Sequence, residues 1–192
     1  MTIIYGGSFN PPTKAHFEIA KYIMEKFPSS EFYFLPTNNS YNKNDLKDFN
    51  LRVSMLKLMC EKLGGRAKVS EFEGELDKYY GTYYTLSHFK DPYFVMGADN
   101  LISIESWINY PKIVEDFKFI IIPRDGINVL EFINLKPHLK TNKDNFIILD
   151  EFSEINLSSS NYRETKDDNL LIEEVAKFIK ENNLYKETED VL

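Results

Sequence analysis

Cysteine is almost absent from this chain: Cys60 is the single thiol among 192 residues. An internal disulfide is excluded, and a reducing, cytoplasmic setting is expected. Cys60 lies in the apolar stretch 56–63 and reads as a buried small hydrophobe, not as a nucleophile. Histidine is scarce too, with three residues, and neither a metal-ligand spacing nor a Ser–His–Asp arrangement stands out. Apolar runs such as residues 117–123 are too short to span a bilayer. No signal peptide is expected, because the first motif begins a few residues after Met1. The chain has no Walker A loop, no GxGxxG, no internal repeat and no low-complexity linker. Basic residues are outnumbered by acidic ones, 23 to 30, for a net charge of −7. That balance argues against a nucleic-acid partner, so any nucleotide must be met by basic groups concentrated locally.

What the chain does have is hydrophobic content of 43%, enough for a sizeable core. Short apolar runs alternate with amphipathic segments, the pattern of an α/β fold with a mainly parallel sheet. Strands are expected at residues 2–5, 31–35, 67–70, 93–96, 117–122 and 145–149. One helix carries Phe17, Ala20, Met24 and Phe27 on a single face and stops at Pro28-Ser29-Ser30. A second carries Leu51, Met55, Leu58 and Met59 and stops at Gly64-Gly65; the last carries Leu171, Val175 and Ile179. The expected fold is a doubly wound, Rossmann-like α/β sheet with a small C-terminal helical appendage over about 158–185. Residues 1–192 read as one domain, ending in a polar, acidic tail (186–192) expected to fray. In such sheets ligands gather at the carboxyl ends of the strands, where strand order reverses.

The first strand runs into Gly6-Gly7-Ser8-Phe9-Asn10-Pro11-Pro12-Thr13-Lys14-Ala15-His16. The glycines let the backbone pass close to an anion, and the following amides can point at it. The prolines stiffen the turn and lead into a helix. His16 then offers a ring N–H beside the positive end of that helix, where phosphate is favoured. Further polar segments follow other strands. They are Pro36-Thr37-Asn38-Asn39-Ser40-Tyr41-Asn42-Lys43, Gly97-Ala98-Asp99-Asn100 with Trp107 beyond it, and Asn156-Leu157-Ser158-Ser159-Ser160-Asn161-Tyr162-Arg163. The serines read as N-caps or, with Arg163 one turn later, as a grip on a polyphosphate tail.

Together these segments resemble the nicotinate/nicotinamide mononucleotide adenylyltransferases of the HxGH-type nucleotidylyltransferase superfamily. The opening is similar to GG(S/T)F(N/D)PP followed by H/T-x-x-H, with Thr13 and His16 at its ends. Gly97-Ala98-Asp99 resembles the GxD element, residues 158–163 the ISxTxxR element, and Leu184-Tyr185 a common ending. The resemblance runs from residue 3 to about 185 in order. It departs at Thr13 and Ala15, which replace the first histidine and the glycine of HxGH, and at Ser160, which replaces threonine. The loop ending Tyr41-x-Lys43 resembles eukaryotic members, whereas the compact length resembles bacterial ones.

The resemblance implies that ATP and nicotinate mononucleotide, with the nicotinamide form also accepted, give a dinucleotide and pyrophosphate in NAD biosynthesis. A phosphate monoester is already nucleophilic near neutral pH, so catalysis rests on positioning and charge stabilisation. His16, Lys43 and Arg163 become the catalytic candidates. Gly7, Ser8, Phe9, Thr13, His16, Gly97, Asp99, Ser159, Ser160 and Arg163 fall to ATP. Asn10, Lys43, Thr82, Tyr83, Thr85 and Trp107 fall to the mononucleotide, with the Trp107 ring stacked on the pyridine. Mg2+ is expected on the ATP phosphates, with no protein metal site. Neither nucleic acid nor membrane is an expected partner, and a homo-oligomer is compatible with the sequence.

Plainer readings stand beside these. Asp99 also reads as a helix N-cap, Trp107 as a core aromatic, Lys43 as a solvated loop residue, and Thr82 and Thr85 as caps. Arg52 and Arg124 fit either phosphate contacts or surface pairing with acids. His88 and His138 read as structural or surface residues. A relative acting on another phosphorylated acceptor, phosphopantetheine or glycerol 3-phosphate, and a silent nucleotide-binding module are the alternatives.

Overall fold

Alternating apolar residues close into one sheet with two buried faces. The structure, a computed structural model, describes residues 1–41, 46–153, 155 and 158–186. The strands are β1 (Thr2–Gly7), β2 (Glu31–Pro36), β3 (Ala67–Val69), β4 (Pro92–Gly97), β5 (Lys118–Ile122) and β6 (Phe146–Ile148). They lie in the order β3-β2-β1-β4-β5-β6, and each neighbouring pair is parallel. All six coincide with the expected strands to within a residue or two at each end.

The period of two sorts side chains to opposite faces. Ile3 and Tyr5 of β1, Val95 of β4, and Ile120 and Ile122 of β5 point into one core. Ile4, Phe94, Met96, Phe119 and Ile121 point into the other. The first core is covered by α1 (Lys14–Lys26), α2 (Phe49–Lys62), α8 (Ser159–Thr165) and α9 (Glu173–Glu181). Five further helices cover the second: α3 (Thr82–Leu86), α4 (Ala98–Ile102), α5 (Lys112–Asp116), α6 (Val129–Leu135) and α7 (Pro137–Thr141). The C-terminal helical part is built into a core layer, since Leu171, Val175 and Ile179 are buried on the same face as α1 and α2. Cys60 is buried beside them, and burial pushes its thiol up to about 12, which keeps it unreactive.

Local signals set the helix ends. Asp48 caps α2 by accepting from the Asn50 N–H at 2.9 Å. Past its C-terminus, Gly64 and Gly65 take φ of +74° and +70°, where a side chain would be strained. Ser158 caps α8 by accepting from the Asn161 N–H. Strand order reverses between β1 and β4, and the loops leaving their carboxyl ends open onto a single cleft. Among the described residues no helix is long and apolar enough to cross a membrane.

Candidate active site

The cleft holds about 920 Å³ and is lined from the ends of β1, β2, β4 and β5 and from the start of α8. Of the residues expected to bind substrate, Gly7, Ser8, Asn10, His16, Thr82, Gly97, Asp99, Trp107, Ser159, Ser160 and Arg163 line it. Lys43 lies outside the described residues, as do Asn156, Leu157 and the tail from 187 on.

His16 stands in the first turn of α1, and its surroundings fix its chemistry. The backbone N–H of Thr13 donates to His16 Nδ1 at 2.9 Å, and Thr13 Oγ1 lies at the same distance. Because a peptide N–H only donates, Nδ1 must be the unprotonated nitrogen and the ring proton sits on Nε2. The contact also closes a capping box in which His16 takes the place usually held by Glu or Gln. Burial, aided by the Arg124 charge, lowers the imidazole to about 4, so it is neutral at physiological pH. Its ring packs edge-on against Phe9 at 5.0 Å and tilted against Tyr5 at 5.9 Å. The result is a neutral Nε2–H donor with a set orientation.

The turn before it is braced from the far end of the chain. Arg163 Nη1 donates to the Asn10 carbonyl at 2.8 Å, and Nη2 donates to Ser160 Oγ at 3.1 Å. Ser159 Oγ donates to the Pro11 carbonyl at 2.7 Å. Asn10 is buried, and its Oδ1 accepts from the Tyr185 hydroxyl at 2.7 Å and the Lys47 N–H at 3.2 Å. Residues 175 positions apart in sequence thus share one hydrogen bond. Past the end of β4, Asp99 lines the cleft from the first turn of α4, where Gly97 occupies the cap position. Asp99 is therefore not the N-cap. A Cβ on Gly97 would collide with Asp99 Oδ1, so the carboxylate lies directly over this glycine.

Four expected contacts do not line the cleft. Thr13 is fully buried and acts on the site only through His16. Phe9 is buried too; its ring packs on Tyr5 and Phe34 while its backbone takes φ of +45°, a strained value for a bulky residue. Tyr83 follows Thr82 by one residue, about 100° around the helix, and so faces away. Its hydroxyl donates to Asp116 at 2.8 Å. Thr85 returns to the inner side but is buried, donating to Glu73 Oε1 at 3.0 Å.

That bond belongs to a network the sequence did not disclose. Glu73 is buried and lines the cleft, and its Oε2 accepts from the Asn38 N–H at 2.9 Å. Asn38 Nδ2 donates in turn to the carbonyls of Glu73 and Leu76 at 2.7 and 2.9 Å. Ser40 Oγ accepts from the Tyr79 N–H, and the Tyr79 hydroxyl meets Thr82 Oγ1 at 3.1 Å. Burial pushes the Glu73 carboxyl up, while the Asn38 and Thr85 donors pull it back. In the sequence Glu73 is one of several acids in residues 71–77 and looks like a solvated face. Nothing local separates it from its neighbours.

Arg52 is another correction: it neither pairs with surface acids nor lines the cleft, but is fully buried. Its place among Met55, Leu56 and Met59 on the inner stripe of α2 was the readable signal. Arg124, left open between two roles, lines the cleft beside His16 and also pairs with Asp125 at 3.6 Å. His88 and His138 are exposed; His88 Nδ1 lies 2.8 Å from the Tyr84 carbonyl and His138 lies 3.9 Å from Glu115. Among the described residues no group of three His, Cys, Asp or Glu side chains could hold a metal ion.

A parallel sheet in this order, with a phosphate-type turn, a neutral histidine and an arginine-bearing helix converging on its switch point, defines a nucleotidyl-transfer architecture. The chain belongs to the cytidylyltransferase-like family, whose model matches residues 4–165. Within it, the chain groups with nicotinate-nucleotide adenylyltransferases. It is 36% identical over 148 residues to a probable nicotinate-nucleotide adenylyltransferase of Acholeplasma laidlawii, covering 74% of this chain and 78% of that one. It is 30% identical over 169 residues to the corresponding protein of Clostridium acetobutylicum, covering 84% of each. Among solved structures, the Plasmodium falciparum nicotinic acid mononucleotide adenylyltransferase complexed with NaAD superposes with a TM-score of 0.75. It is 23% identical over 96% of both chains and is similar in fold.

Proposed function

We propose that the protein transfers the adenylyl group of ATP to nicotinate mononucleotide, giving nicotinate adenine dinucleotide and pyrophosphate, within NAD biosynthesis in the cytoplasm. The observation that carries this reading is neutral His16, its ring proton on Nε2, lining the same cleft as Arg163. An oxygen of the mononucleotide phosphate attacks the α-phosphorus of ATP. The bond from that phosphorus to the bridging oxygen breaks, and pyrophosphate leaves with the electron pair. Magnesium enters as part of the substrate, on the ATP phosphates.

His16 donates to an α-phosphate oxygen as it gains charge, and its low basicity keeps it a hydrogen-bond donor that surrenders no proton. The amides of Gly7 and Ser8 line the same oxygens. Ser160 Oγ accepts from Arg163, which leaves the hydroxyl proton for the β- and γ-phosphates, together with the remaining guanidinium N–H groups. Asp99 accepts from the ribose hydroxyls. The acceptor occupies the end lined by Thr37, Tyr79, Thr82 and Trp107, with Lys43 on its phosphate. Trp107 is half-buried and edge-on to Phe94 at 6.1 Å, which leaves a face for a pyridine ring.

The test is pyrophosphate release from ATP with nicotinate mononucleotide, nicotinamide mononucleotide, phosphopantetheine and glycerol 3-phosphate in parallel. Turnover with the pyridine nucleotides is expected. Turnover with only one of the other acceptors refutes the substrate assignment, and turnover with none refutes the enzyme reading.

A further inference from the structure

We propose that Arg52 is a positioning residue that sets the gap between the triphosphate half and the acceptor half of the cleft. The proposal rests on the adenylyl-transfer reading above. Arg52 lies in the first turn of α2 with no exposed surface. Its guanidinium reaches two different loops. Nη1 donates to the Ser8 carbonyl at 2.9 Å, inside the phosphate turn after β1. Nη2 donates to the Thr37 carbonyl and to Asn39 Oδ1, both at 2.7 Å, in the loop after β2. Nε donates to the Lys47 carbonyl at 2.9 Å, where that segment enters α2.

The energetics make this a brace and not incidental packing. Among the described residues no carboxylate comes within ion-pair distance of Arg52, although the Asp48 and Glu73 charges act on it from further off, and the Phe49 ring lies 5.4 Å from its guanidinium. A buried cation is tolerable only when its N–H groups are satisfied. Here the satisfying oxygens belong to the two loops themselves, so displacing either loop strands a buried charge. The sheet registers these strands only as far as Gly7 opposite Pro36, followed by the Thr37 N–H donating to the Gly7 carbonyl. Beyond that point Arg52 continues the coupling. Ser8 lies in the turn assigned to the ATP phosphates, and Thr37 lines the acceptor end. In-line transfer needs the attacking oxygen and the α-phosphorus at near contact, so the spacing of these loops governs turnover more than the affinity of either half.

Arg52→Lys keeps the charge but replaces a planar fork by a single donor atom, which cannot reach oxygens on both loops. Asn39→Ala removes one exposed acceptor and leaves the core untouched. Both variants are assayed by pyrophosphate release, with separate calorimetric titrations of ATP and mononucleotide and a thermal melt. Arg52→Lys is expected to lower kcat about a hundredfold, the scale of a 1 Å misplacement. KM and Kd for each substrate should stay within about threefold. Asn39→Ala should lower kcat roughly three- to tenfold with wild-type melting, and it decides the matter if the lysine variant does not fold. A kcat within about twofold of wild type in Asn39→Ala, or a loss confined to the KM of one substrate, overturns the brace. The wild-type arm separates the two readings. Wild-type turnover alongside unaffected variants overturns Arg52 alone, and wild type without pyrophosphate release overturns the adenylyl-transfer reading and the brace with it.

Discussion

The two nitrogens of His16 have separate surroundings, and single substitutions can test the proposed donor role apart from the cap. Nδ1 accepts the Thr13 N–H and caps α1, while Nε2–H faces the cleft. An asparagine side-chain oxygen occupies nearly the same place as Nδ1, so His16→Asn should keep the cap and lose the donor. We expect kcat to fall about 10²–10³-fold, the usual effect of removing one transition-state donor, with a melting temperature within a degree or two of wild type. His16→Ala loses both nitrogens and should lose kcat equally. It should also lose about 1 kcal/mol of stability for the cap, or roughly 2–4 °C in a chain of this size. The cap contributes because the ring is half-buried and the Thr13 residue whose N–H it satisfies is fully buried. The pH dependence gives an independent check. The imidazole falls from 6.5 in the unfolded chain to about 4 in the fold. Its contribution is therefore complete above pH 6.5 and is lost as pH drops towards 4, by at most about 3 kcal/mol. His16→Asn cannot titrate there, so its melting temperature should overtake that of wild type near pH 4.5. Steady-state kinetics at pH 7.5 and melts at both pH values test these statements. If His16→Asn keeps more than about a third of wild-type kcat, the donor role is wrong. If it melts as early as His16→Ala at pH 7.5, the tautomer assignment is wrong.

Other substitutions report on the two ends of the cleft. Arg163→Lys cannot donate at once to the Asn10 carbonyl, Ser160 Oγ and a phosphate. Its KM for ATP should rise about tenfold with little change for the mononucleotide, and the opposite split would put Arg163 in the wrong half. Glu73→Ala releases the Asn38 N–H and the Thr85 hydroxyl, so it should raise the mononucleotide KM about tenfold and leave that for ATP within twofold. Glu73→Gln, with one oxygen retained, should recover part of the loss; equal effects on both substrates would refute the assignment. Nicotinate mononucleotide should be preferred over the amide form by kcat/KM, because backbone N–H groups can serve its carboxylate; amide activity should remain measurable, since the cleft's arginines, Arg124 and Arg163, stand beside His16 and α8 and none lies at the pyridine end to demand a charge. Amide preference above about tenfold, roughly 1.4 kcal/mol, would sink that expectation.

The features legible in the sequence were those written in local patterns. Six apolar runs announced six parallel strands, because a strand buried on both faces must be apolar along its length. Gly6-Gly7 through His16 announced a tight turn from β1 into α1, because close backbone approach, a stiff exit and a helix start demand those residue types in that order. Tertiary structure decided everything that depended on which distant groups meet. The tautomer of His16 follows from the direction of one peptide N–H. Tyr83 and Thr85 share a helix with Thr82, yet only Thr82 faces the cleft, because the orientation of that short helix is set by packing outside it. Tyr185 acquires its meaning from Asn10, and Glu73 from Asn38 and Thr85. Arg52 sat in plain view on an apolar stripe, but a sequence does not say which oxygens will surround a buried charge. Periodicity fixes the face on which a side chain lies, whereas the closing of the chain on itself supplies the partners that make the side chain act.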